Sequence, residues 1–140
     1  MNRIKFIYIY ILYIFVVTMF LCLSFSKNNK DIFIKKDFSR SLHYYYEVTE
    51  NENSFFVKIY SKENGCEFSD EAEYRKFDRF YICWDESYDK LWIWSSDIGF
   101  YTVTKKDVWI KQSVILANTT KEMIPSKMVN NIPFLQRYYK

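Results

Sequence analysis

The side chains best suited to chemistry in this sequence are few and scattered. There is a single histidine, His43, among 140 residues, so a Ser-His-Asp or Cys-His arrangement would have to be assembled around it alone. It stands beside Tyr44-Tyr45-Tyr46 at the start of a β-prone run, where a surface or strand-end role is expected. Cys66, Cys83 and His43 offer zinc-ligand types without the close spacing that marks a zinc site. With two glycines, Gly65 and Gly99, the chain cannot build a glycine-rich phosphate loop. Carboxylates are plentiful between Glu67 and Asp89, yet no two stand out as the acid and base of a hydrolase. We assign no catalytic residue, metal ligand or cofactor, and expect a protein that is not an enzyme.

Binding is better served. From Glu63 to Asp89 nine acids face three bases, and from Lys90 onward eight bases face three acids. Two solvated faces that complement each other account for this. The functional reading is an acidic patch, tested first at Asp85, Glu86 and Asp89, that steers a basic protein partner. The alternative is an aromatic platform of Trp92, Trp94 and Tyr101 that holds a carbohydrate or another small ligand. Asp97 and Gly99 read as turn residues, one bonding nearby amides and the other free to take a positive φ.

The elements that position these residues are mostly strands. Leu42 to Thr49 and Ser54 to Ser61 flank a polar loop as an antiparallel hairpin, with Phe55, Val57 and Ile59 on the face to be buried. After Lys62-Glu63-Asn64-Gly65, Ser69 reads as the cap of a short helix with Asp70 and Glu71 in its first turn and Tyr74 and Phe77 on one side. Arg79 to Trp84, Lys90 to Ser95 and Phe100 to Thr104 form a three-stranded meander.

Closing its loops simply pairs Trp84 with Lys90, Ile82 with Trp92 and Phe80 with Trp94, then Trp94 with Tyr101 and Trp92 with Val103. That register puts Trp92 and Trp94 on the sheet's inner face with Phe80, Ile82, Trp84, Tyr101 and Val103. Val108 to Ile115 adds an edge strand. Ile124-Pro125 and Ile132-Pro133 bracket a helix that starts at Pro125, carries Met128, Val129 and Ile132 on one side and covers a sheet face as a lid.

The amino-terminal segment is an address. Residues 6–25 carry no charge, and twenty residues of helix reach about 30 Å, the thickness of a bilayer's hydrocarbon core. This length favours an uncleaved signal anchor over a signal peptide cleaved after Ser26, since it exceeds an ordinary signal's apolar region. Arg3 and Lys5 place the amino end inside, although Lys27, Lys30, Lys35 and Lys36 pull the other way. Residues 27–40 read as a polar stalk.

The expectation is a chain in a bacterial inner membrane with its body, residues 41–140, in the periplasm, or released there. Cys66 and Cys83 leave two readings open, a disulfide in an oxidising compartment or two free thiols with Cys83 buried. Beyond the leader, charge is nearly balanced, which gives nucleic acid no support as a partner. The fold class expected is α+β, mainly antiparallel, with a meander sheet of about five strands and one or two short helices.

Overall fold

Tyr46 and Val48 alternate with Glu47 and Thr49, and Val57 and Ile59 alternate with Lys58 and Tyr60, the period of strands with one buried face. In the computed structural model, which describes residues 32–140, these runs are β2 (Tyr44–Glu50) and β3 (Ser54–Ser61). Asn51 Oδ1 closes the loop between them by accepting from the amides of Asn53 and Ser54. β1 (Ile32–Phe38) pairs with β2, while β4 (Gly65–Ser69) and the two-residue β5 (Tyr74–Arg75) both pair with β3.

A second antiparallel sheet follows in meander order: β6 (Phe80–Trp84), β7 (Lys90–Ser95), β8 (Gly99–Lys105) and β9 (Trp109–Ser113). Two 3-10 turns, Leu116–Asn118 and Lys121–Met123, lead into the short helices α1 (Ser126–Asn131) and α2 (Pro133–Tyr138). The described residues are thus mainly β, in two antiparallel sheets with short helices. The apolar segment 6–25 lies outside them, with the anchor and cleavage readings attached to it. Among the described residues no helix is long and apolar enough to cross a membrane.

The second sheet is apolar on both faces, which makes it the middle layer. One face sets Ile82, Trp84, Leu91, Ile93, Val103 and Trp109 against Tyr46, Val48, Val57 and Ile59 of the first sheet. The other sets Cys83, Trp92 and Phe100 under Ile124, Met128, Val129, Ile132 and Leu135 from the carboxy-terminal lid. The carboxy-terminal pieces therefore cover one sheet face as a lid, with Met128, Val129 and Ile132 turned inward.

Two acids on or just past β4 tie the first sheet to the second. Glu67 Oε2 accepts from Lys105 Nζ at 2.6 Å and from the Trp109 indole at 3.0 Å. Buried Asp70 accepts from Lys111 Nζ at 2.8 and 2.7 Å, and the Tyr74 hydroxyl donates to it at 2.6 Å.

Several expectations are corrected. Among the described residues there are nine strands in two sheets rather than about five in one. Ile32–Phe38, inside the segment expected to be a stalk, is an edge strand; its charges do not forbid this, because Lys36 pairs with Glu47 at 3.5 Å and Lys35 Nζ donates to the Ile82 carbonyl at 3.1 Å. The helix expected after Ser69 does not form. The Asp70 amide instead continues the ladder to Val57 O at 2.9 Å, and the Asp70 carboxylate serves Lys111 and Tyr74 rather than a helix end. Phe77, expected on that helix's inner side, stands in solvent.

The meander register also differs by one residue. Trp84 pairs with Leu91, Ile82 with Ile93 and Cys83 with Trp92; beyond the next turn Trp94 pairs with Phe100 and Trp92 with Thr102. In the first hairpin the cause is Asp85, whose amide donates to Lys90 O at 2.8 Å, so the ladder runs one step further and the loop is shorter than its polarity suggests; in the second, Ser95 pairs with Gly99 and shortens that turn likewise. Since side chains alternate, that single step turns Trp92 and Trp94 from the inter-sheet core to the lid side.

The cysteines are free. Cys83 lies buried on the lid side of the second sheet, whereas Cys66 is exposed on the first sheet, so the middle layer separates them and the disulfide reading falls.

Candidate functional site

The β6–β7 loop carries the three acids singled out in the sequence, and each has an internal partner. Asp85 Oδ1 accepts from the amides of Ser87 at 2.9 Å and Tyr88 at 3.2 Å, the geometry by which a short acid folds a turn over itself. Its Oδ2 accepts from the Trp92 indole at 2.9 Å and faces Lys90 Nζ at 3.5 Å.

Glu86 reaches across to the lid, where Oε1 accepts from the Ser126 amide at 3.1 Å and from the Ser126 hydroxyl. Helix α1 has Pro125 at its cap position and no side-chain cap of its own. Glu86 thus supplies the acceptor and the negative charge that the helix start lacks. The turn between β1 and β2 holds the same loop: Arg40 donates to the Glu86 carbonyl at 2.6 Å, and the Ser41 amide donates to Asp89 Oδ1 at 3.4 Å.

With its acids engaged, the loop projects Tyr88, which is 70% exposed. Two hollows meet at this ring. One of about 610 Å³ runs along Asp85, Trp92, Thr119, Glu122 and Met123; the other, of about 390 Å³, is bounded by Tyr44, Asp89, Thr104 and Lys105. Tyr88 and Lys90 line both. Ile115 and Met123 stand exposed beside the larger hollow.

Leu42, next to Ser41, is 57% exposed and has a φ of 60°. A leucine in the left-handed region costs about 1–2 kcal/mol, so the turn holds an apolar side chain in water under strain. Asp85, Asp89 and Glu122 line the hollows together with the bases Lys90 and Lys105. Glu122 stays ionised, its carboxyl held below the usual range by its own backbone amide and the Thr120 hydroxyl. Such a surface suits an apolar or aromatic contact with a basic neighbour.

No family model, curated protein or solved structure matches this chain. The geometry alone carries the reading.

The aromatic platform does not assemble. Trp92 is 3% exposed beneath the lid, its ring 5.4 Å from Phe100. Trp94 shares that face but lines a different hollow beside Phe134, and Tyr101 points to the opposite face, where Lys111 Nζ lies 4.6 Å from its ring.

Asp97 sits in the β7–β8 turn and accepts from the Ser95 hydroxyl. Burial works to raise its pKa, but that bond and backbone amides outweigh it and hold the carboxyl below its usual range. Gly99 follows with a φ of 120°, open to glycine and hard for a side chain. His43 is exposed beside the strained turn. Burial pushes the Cys83 thiol up to about 12, which leaves it protonated and inert at neutral pH. Among the described residues no cluster of His, Cys, Asp and Glu could hold a metal ion.

Sequence reasoning missed Tyr88, Leu42, Ile115 and Met123. For Tyr88 a signal exists: it is the one aromatic in a loop of acids and serine, where no core needs it.

Proposed function

We propose that this chain is an exported or membrane-anchored protein-binding domain of the inhibitor or immunity type, and that it takes its partner at the loop end around Tyr88. The observation that carries the reading is an exposed tyrosine between two hollows, on a loop fixed from three sides by Asp85, Glu86 and Arg40.

Tyrosine supplies a large contact area with little rotamer freedom to lose, and a loop ordered before binding loses less on association. Asp85, Glu86 and Asp89 act in this reading as scaffold first and as a negative field second. The field favours a partner with a basic side chain near the contact. The carbohydrate alternative has less support, because Trp92 is buried beneath the lid and Tyr101 lies on the face opposite Trp92 and Trp94.

A photoreactive residue at position 88, introduced into the full chain in its native envelope, tests this. The reading expects one protein adduct of defined mass at 88 and none at position 56, on the outer face of the first sheet. Equal labelling at both positions, or adducts at neither, would contradict it.

A further inference from the structure

Phe77 is 93% exposed, the most solvated large apolar side chain among the described residues. It borders a hollow of about 300 Å³ shared with Arg79, Trp94, Pro133 and Phe134. Phe134 is itself 44% exposed, and its ring lies 6.0 Å from that of Tyr138. Apolar side chains grouped in solvent call for a partner.

The place of this patch in the fold suggests which one. β1 begins at Ile32 opposite Glu50, and Glu50 Oε2 pairs with Lys76 Nζ at 3.1 Å. The Lys76 amide donates to Asn53 O at 2.9 Å, and Phe77 is the next residue. The patch therefore lies at the end of the sandwich where the chain enters it, opposite the end that carries Tyr88. In sequence, six residues, Ser26 to Asp31, separate the apolar run from β1, a covalent reach of at most about 25 Å.

We infer that Phe77, Phe134 and the neighbouring edge of Trp94 rest in the headgroup region of the bilayer. The inference builds on the membrane-anchored reading of residues 6–25. An indole with its polar N–H settles at that depth, and exposed phenyl rings gain by leaving water for the boundary with the acyl chains. Beside the patch Lys76 pairs with Glu50, Asp78 and Arg79 both line the hollow, and Arg137 on α2 adds one further base. Contact is thus carried by the rings and not by attraction to anionic lipid.

The full chain, reconstituted in vesicles of phosphatidylcholine with and without phosphatidylglycerol, tests this with benzoylphenylalanine placed singly at 77, 134 or 88. Position 77 is so exposed that the substitution leaves packing alone. Lipid adducts at 77 and 134 in both compositions, at least tenfold above those at 88, are the expected result. Retention of the chain in alkaline carbonate together with equal labelling at 77 and 88, or with protein adducts or none at 77, overturns the contact alone. Release of the chain by carbonate overturns the anchor reading and this inference with it.

Discussion

Glu67 shows how single residues hold this sandwich together. Its carboxyl is pushed down to about 2, chiefly by the hydrogen bond from Lys105 and further by the Trp109 indole, against the raising effect of burial. A depressed folded value means that stability is fully present above the ordinary 4.5 and is lost as pH falls through 2. Urea midpoints measured across that window should fall, and Glu67→Gln should flatten that part of the profile while lowering stability at pH 7. A profile unchanged by Glu67→Gln would remove the residue from its role. The β4 acids were legible in the sequence as an acidic stretch but not as cross-sheet ties, because their lysines lie some forty residues away and neither charge pattern nor period carries tertiary pairing.

Loops set the register at the scale of elements. The hairpin of β2 and β3 and the lid helices were readable because alternation and proline placement are local signals. The meander register was not, because it turned on whether Asp85 belongs to the loop or the ladder. Asp85 does both: its amide joins the ladder to Lys90 while its side chain folds the loop and receives the Trp92 indole.

Asp85→Ala strands that indole and two amides, so we expect a loss of about 1–3 kcal/mol in urea unfolding. Faster amide exchange at Ser87, Tyr88 and Trp92 should accompany it. A stable variant with unchanged exchange would show that the loop is held by other means. Edges are handled in the same economical way. The Trp84 indole on β6 donates to the Asp37 carbonyl at 3.0 Å and Lys35 on β1 to that of Ile82, so the edge strands of the two sheets are tied to each other.

For the whole molecule, the layered arrangement explains why so small a body uses tryptophan heavily. Trp84 and Trp109 fill the space between the sheets, and Trp92 fills the space beneath the lid, each worth about 4–6 kcal/mol in transfer terms. Their burial was expected from composition and size, although the face chosen for Trp92 and Trp94 was wrong by one register step. Trp94 is the one indole left partly open. Emission should therefore be blue-shifted, with iodide reaching a single minor component that Trp94→Phe removes; quenching of most of the emission would refute the three-layer packing.

That same division of labour, buried rings for stability and one solvated ring for contact, is what the proposed function rests on. The most direct measurement pairs urea unfolding of Tyr88→Ala with capture of the partner cross-linked at position 88. Exposed Tyr88 should leave stability within about 0.5 kcal/mol of the parent chain, while capture falls tenfold or more. Capture that survives the substitution intact would contradict the account.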